Sequence, residues 1–348
     1  MVAMRAVVYD TFGVLPEVRE VPDPVAPAGG VVVAVRATGL CRSDWHGWRG
    51  HDADIRLPHV PGHEFAGEIA AVGAGVTGWQ VGDRVTAPFV CACGTCPACL
   101  AGDHQVCHRQ QQPGFTHWGS FADLVVVHHA GVNLVRLPDE VDFGTAAALG
   151  CRFATAFRAV VAQGRVRAGE WVAVYGCGGV GLSAVMIAAA VGARVVAVDV
   201  RPQALAMAAR CGAAVTLDAS TGTPDVAAVT GDGAHLSIDA LGSQATLTAS
   251  VRGLRRRGRH VQVGLLPATV TVPMDRVVAH ELEVIGSHGM AAHAYPEMLA
   301  LVQAGRLRPG DLVTEELSLS DAPAALATMD GPAPAGIRIV VPGTPPNR

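Results

Sequence analysis

A chain of 348 residues and 35.8 kDa, 50% hydrophobic and only 16% charged, has the apolar surface for a large core and the length for two domains, which excludes a disordered or fibrous class. Its 26 basic and 30 acidic residues leave a net charge of -4 without any long basic run, so no electrostatic footprint for a nucleic-acid backbone is present. Every basic residue is an arginine, and the missing lysine excludes a P-loop, a Schiff-base enzyme and a protein kinase.

The opening MVAMRAVVYD lacks the basic-then-apolar pattern of a secretory signal, and no 18-residue apolar run escapes interruption by charge. The expectation is a cytoplasmic protein with no membrane contact. Nine cysteines, an odd count, form no closed disulfide framework, and in a reducing compartment clustered cysteines bind metal more often than they pair. The first 150 residues read as short strands and turns, with one apolar run at residues 30–35 and a glycine, proline and valine texture from 61 to 90. From residue 170 the chain reads strand (WVAVY), glycine turn (GCGGVG), alanine-rich helix and strand (RVVAVDV), a βαβ unit. LSIDAL and RHVQVGLL are apolar enough to be further parallel strands covered on both faces. A helix is predicted through residues 293–304, a strand at 337–341, and fraying in the tail PGTPPNR.

Gly176, Gly178 and Gly181 form GxGxxG between an apolar strand and a helix, where bare backbone and a helix N-terminus can approach a pyrophosphate. Asp199 ends the second strand, 18 residues past Gly181, where a carboxylate accepts hydrogen bonds from ribose hydroxyls and repels a 2'-phosphate. This favours NAD over NADP, with nearby Arg201 acting against that preference. A methyl transferase using S-adenosylmethionine shares the glycine turn and the acid, and stays open on this signal alone.

Cys93, Cys96, Cys99 and Cys107 have the spacing C-x2-C-x2-C-x7-C, which lets four thiolates converge on one tetrahedral ion and order residues 91–110 as a structural zinc lobe. An iron-sulfur centre begins with the same C-x2-C-x2-C, but its next cysteine comes sooner and carries a proline. Cys91 is surplus to the cluster.

CRSDWH, GHEFAGEIAAVG, CGTCPACLAGDHQVC, GCRFAT and VAVYGCGGVG follow one another along nearly the whole chain. In that order the chain resembles the medium-chain dehydrogenase/reductase superfamily, and within it the zinc-dependent alcohol dehydrogenases. The resemblance implies an α/β protein: a Rossmann domain with a doubly wound parallel sheet at residues 152–286, and a mainly β, GroES-like catalytic domain at 1–151 and 287–348. It implies two zinc ions per chain, NAD, and reversible oxidation of a primary or secondary alcohol to an aldehyde or ketone. Cys41, His63 and Cys151 would hold the catalytic zinc, leaving one position open. Glu64 would sit beside the metal as a transient ligand, and Asp44 would orient His63. Ser43 would receive the alcohol proton, and His46 would pass it through the cofactor ribose toward solvent. Arg42 would bind the pyrophosphate, with Gly179, Val180, Thr155, Val263 and Ile285 completing the cofactor site. Phe89, Phe115, Thr116, Trp48 and Leu57 would line an apolar pocket for the alcohol or carbonyl substrate. Polyol dehydrogenases of the superfamily usually carry glutamate in place of Cys151 and often glycine in place of Arg42, so simple alcohols are favoured over a polyol, threonine or formaldehyde substrate. A homodimer or homotetramer is the family habit.

Overall fold

The computed structural model describes residues 3–266, 269–331 and 334–343. Of the tail expected to fray, residues 344–348 lie outside the described part. Two large sheets organise the chain. The first, rich in antiparallel pairs, runs Val313–Ser318, Ile337–Val341, Val31–Leu40, Phe65–Val72, Arg84–Thr86, Val135–Arg136, and Leu124–Val127 also pairs with Val31–Leu40. Strand Val31–Leu40 is β-branched and almost wholly buried, as a strand covered on both faces must be. The small hairpin Ala3–Val8 with Glu17–Pro22 lies outside this sheet.

The second sheet has six strands, all parallel, in the order Val215–Asp218, Arg194–Asp199, Trp171–Tyr175, Ala234–Asp239, Leu254–Gln262, Glu283–Gly286. That is the doubly wound 3-2-1-4-5-6 order, whose reversal between the first and fourth strands opens a crevice at their C-terminal ends. Helix Gly179–Val191 leaves the first strand there. It is apolar on every side because it is buried, and its alanines let it approach the sheet closely.

Between the sheets runs Phe143–Gln163, a continuous helical segment in which α-helical turns alternate with two π-helical ones, Leu149–Phe153 and Arg158–Gln163. Among the described residues it is the one helix long and apolar enough, by length and composition, to cross a membrane, and 72% of its most apolar stretch is buried inside the protein. It is packed with helix Gly179–Val191 and the second sheet in one continuous core, the role that its apolar composition serves.

Candidate active site

Three chain segments meet at one point. Cys41 stands where strand Val31–Leu40 passes into helix Arg42–Trp48, His63 and Glu64 immediately precede strand Phe65–Val72, and Cys151 sits in the π-turn Leu149–Phe153. A π-turn carries one more residue than an α-turn needs, so neighbouring side chains leave the helix in more similar directions; such turns concentrate at functional sites. One ligand atom from each of Cys41, His63, Glu64 and Cys151 lies within 4.8 Å of all the others.

Asp44 organises the cluster. Its Oδ2 accepts the Cys41 backbone N–H at 2.9 Å, while Oδ1 accepts the Gly62 N–H at 3.0 Å and His63 Nδ1 at 2.9 Å. With Nδ1 taken, His63 Nε2 is buried and has no hydrogen-bond partner in the protein. An orphaned imidazole nitrogen beside two buried thiols is a donor set suited to zinc, so the residues present fit that ion. Burial opposes charge on His63, but Asp44 and Cys41 outweigh it and hold its pKa well above the ordinary value. The interaction with Cys151 and the positive charge of Arg152 and His63 hold the Cys41 thiol well below its ordinary value against burial, while the interaction with Cys41, burial and the negative charge of Cys41 and Glu64 hold Cys151 well above it against Arg152.

Glu64 is fully buried, and burial raises its pKa against the pull of a partner that sequence reasoning missed, Arg152. Arg152 donates from its Nε (3.0 Å) and Nη2 to the Glu64 carboxylate, and its backbone N–H donates to the same Oε1 at 2.8 Å. The available signal was an arginine inside the apolar run GCRFATAF, which has to be paired if buried.

Ser43 Oγ lies 3.8 Å from Cys41 Sγ. His46, one helical turn on, is half-buried, and its Nδ1 is 3.0 Å from Nδ1 of His51, a neighbour the motif did not suggest. Burial, then Arg42 and His51, lower the His46 pKa. Arg42 Nη1 donates to the Met329 carbonyl at 2.5 Å, and its guanidinium lies over the Trp45 ring.

At the glycine turn, Gly176 has φ +88°, a left-handed conformation that only glycine takes readily. A Cβ on Gly181 would lie 1.8 Å from the Gly176 carbonyl oxygen, whereas one on Gly178 would meet nothing within 4 Å. Gly176 and Gly181 thus let helix and strand close up, and Gly178 leaves an open approach to the start of a 13-residue helix, which fits a pyrophosphate. Asp199 Oδ2 accepts the Cys177 N–H at 2.6 Å and Oδ1 accepts Arg201 N–H and Nε at 2.9 and 3.2 Å, so Arg201 is folded onto the acid. Thr155 Oγ1 is buried without a partner. Val180, Val263 and Ile285 are partly buried against the central core.

The pocket residues divide. Phe115 and Phe89 flank the His63 ring at 5.2 and 6.2 Å between centroids, and Phe89 meets His288, which sequence reasoning missed, at 5.2 Å. Trp48 is buried in the cluster beneath the hairpin and donates its indole N–H to the Val14 carbonyl at 2.7 Å. Thr116 is spent on its own turn, with Oγ1 accepting the Gln112 N–H at 2.8 Å, and Leu57 is largely at the surface, 38% exposed.

The second cysteine cluster is closed. Sγ of Cys93, Cys96, Cys99 and Cys107 converge, with pairs at 3.4, 3.8 and 4.0 Å. Tetrahedral zinc–thiolate bonds place sulfurs about 3.8 Å apart. Backbone N–H groups of Thr95, Cys93 and Arg109 donate to these sulfurs at 3.3 to 3.5 Å. Thr95 leads in bringing Cys93 down to about 5, while burial pushes Cys99 up to about 12. Cys91 is apart, driven up to about 12 by burial and bonded to the Pro88 carbonyl.

Comparison with known proteins agrees with this geometry. Residues 27–139 match the alcohol dehydrogenase GroES-like domain and 179–304 match the zinc-binding dehydrogenase family. An alcohol dehydrogenase of Geobacillus stearothermophilus is 34% identical over 312 residues, covering 88% of this chain and 90% of that one. An NAD-dependent alcohol dehydrogenase of Sulfurisphaera tokodaii is 30% identical over 97% of this chain and 100% of its own. The solved alcohol dehydrogenase of Thermus sp. ATN1 superposes with a TM-score of 0.88 at 34% identity, covering 97% and 99% of the two chains.

Proposed function

This chain belongs to the zinc-binding alcohol dehydrogenase family with a GroES-like domain, and from that premise we propose that it moves hydride reversibly between NAD and a primary or secondary alcohol of apolar character. The observation that carries the reading is the convergence of Cys41, His63 and Cys151 with His63 Nε2 left unpartnered. Cys41, His63 and Cys151 would hold the catalytic ion, and Cys93, Cys96, Cys99 and Cys107 would hold a second, structural one. When bound, zinc supplies Lewis-acid polarisation of the substrate oxygen and NAD the hydride acceptor.

The protein's own part is binding, orientation and proton removal. Asp44 fixes the tautomer of His63 by occupying Nδ1. Ser43 Oγ, beside Cys41, accepts the alcohol proton, and His46, whose Nδ1 is held by His51 from beyond the helix end, passes it through the cofactor ribose toward solvent. Phe89 and Phe115 exclude water on the substrate side. The domain limits of 1–151 with 287–348, and 152–286, the cytoplasmic location and assembly into a homodimer or homotetramer are part of the same proposal.

The test is metal analysis joined to NADH absorbance over short, long, aromatic and polyhydric alcohols. Two zinc ions per chain are expected, with the best turnover on the apolar alcohols; a preference for polyhydric ones would move the protein to the polyol class. Ser43→Ala should lower kcat by about 10² to 10⁴ with solubility and zinc content unchanged; a zinc-replete variant turning over like the parent would remove Ser43 from the proton path. Asp199→Gly should raise the kcat/KM ratio of NADP over NAD by about 10- to 100-fold, the worth of charge-assisted hydrogen bonds of about 1.5–3 kcal/mol to the ribose. An unchanged ratio would leave cofactor choice to groups other than this acid.

A further inference from the structure

We propose that Arg152 is a positioning residue that keeps Glu64 out of the coordination shell of the catalytic metal and so reserves the fourth position for the substrate oxygen. This rests on the three-ligand reading of Cys41, His63 and Cys151 given above.

Glu64 is close enough to be a ligand, with a carboxylate oxygen within 4.8 Å of the donor atoms of Cys41, His63 and Cys151. What competes for it is the Arg152 side chain together with the backbone N–H groups of Arg152 and Cys151. Oε1 accepts three N–H donors, from Cys151 N at 3.2 Å, Arg152 N at 2.8 Å and Arg152 Nε at 3.0 Å, while Oε2 takes Arg152 Nη2. With about two acceptor positions on each oxygen, Oε1 is saturated, and Oε2 keeps one position whose direction the guanidinium sets. The planar guanidinium meets the carboxylate through two nitrogens, which fixes the plane of the carboxylate as well as its place.

The clamp is itself held. Arg152 Nη1 donates to the Leu40 carbonyl, next to Cys41, at 3.1 Å. Room for the pair is cleared by two glycines: a Cβ on Gly39 would lie 2.2 Å from Glu64 Oε2, and one on Gly179 would lie 2.5 Å from Arg152 Cδ. Gly179 opens the helix that follows the glycine turn, so the side chain that restrains Glu64 also packs on the cofactor-binding turn. The metal site and the cofactor site thereby share a mechanical element in addition to the substrate.

The test uses the full-length protein reconstituted with cobalt(II), whose d–d bands report coordination and whose thiolate charge-transfer bands report the cysteines, titrated with imidazole as a probe of the open position. Arg152→Gln should alter the d–d envelope and weaken imidazole binding by about tenfold, and Arg152→Gln with Glu64→Gln should recover both. Should Arg152→Gln fail to fold, Arg152→Lys, which keeps the buried charge but not the fork, is read on the same two signals, with and without Glu64→Gln. Parent-like spectra and imidazole affinity in the folded Arg152 variant, or a change that Glu64→Gln does not reverse, would overturn the proposal. A parent protein whose charge-transfer bands are indifferent to Cys151→Ser would instead overturn the three-ligand reading on which it stands.

Discussion

Replacing Cys151 with serine should reduce turnover by about a thousandfold or more while the chain stays folded and loses one zinc. Serine nearly matches cysteine in volume, and Cys151 is in a helical segment whose backbone is fixed by the surrounding core, so the substitution strikes the ligand set and spares the packing. Lewis-acid stabilisation of a developing charge is worth several kcal/mol; at about 1.4 kcal/mol per decade, a loss of about 4 kcal/mol gives about 10³ in rate. Metal analysis should find about one ion per chain in place of two, and NADH absorbance should report the rate. Turnover within tenfold of the parent with both ions retained would show that the thiol is not a ligand.

Cys96→Ser should instead strike stability. The buried cluster of the lobe consists of Ala92 and the four cysteines themselves, with only Ala98 and Val132 packed against it. So small an apolar cluster cannot order its loops without the ion, and structural zinc contributes about 10–16 kcal/mol of apparent binding energy to folding. Much of that is replaced by three remaining thiols and water; a net loss of about 5 kcal/mol, at about 2 °C per kcal/mol for a chain of this size, lowers Tm by about 10 °C. Calorimetry or thermal circular dichroism measures this, and an insoluble product would be the same effect carried further. A Tm within about 2 °C of the parent would place the order of the lobe in the Asn133 side chain, which accepts the Ala92 N–H at 2.7 Å and donates to the Ala92 carbonyl at 2.9 Å.

Much of the fold was legible because the signals were local. The strand Ile337–Val341 falls on the expected residues, and WVAVY with its glycine turn and alanine-rich helix forms the expected βαβ unit, since apolar runs bounded by glycine leave few alternatives. The strands Val215–Asp218 and Glu283–Gly286 were not legible: both are short, consist of half-buried and exposed residues only, and owe their form to the neighbours they pair with at the ends of the sheet. In the site, thiol spacing singled out the four-cysteine lobe and GxGxxG the phosphate turn, because metal ligands and phosphate turns depend on residue type, while Cys41, His63 and Cys151 were legible only through the family resemblance. The partners of those residues were hidden. Arg152, His51 and His288 meet Glu64, His46 and Phe89 through direction of approach, which one-dimensional spacing does not encode. Trp48 shows the same limit, since an indole beside the ligand motif fills a core as readily as it walls a pocket.

The widened turn at Leu149–Phe153 makes the chain sensitive to length at one place. Excising any one residue there would let the helix heal into regular geometry with its backbone ladder closed, at little cost to the core. The thiol and the guanidinium would then diverge toward different azimuths around the axis. An otherwise sound scaffold would emerge with an empty chelate, so frame-preserving deletions in this stretch are a more severe hazard to chemistry than most substitutions elsewhere in the helix.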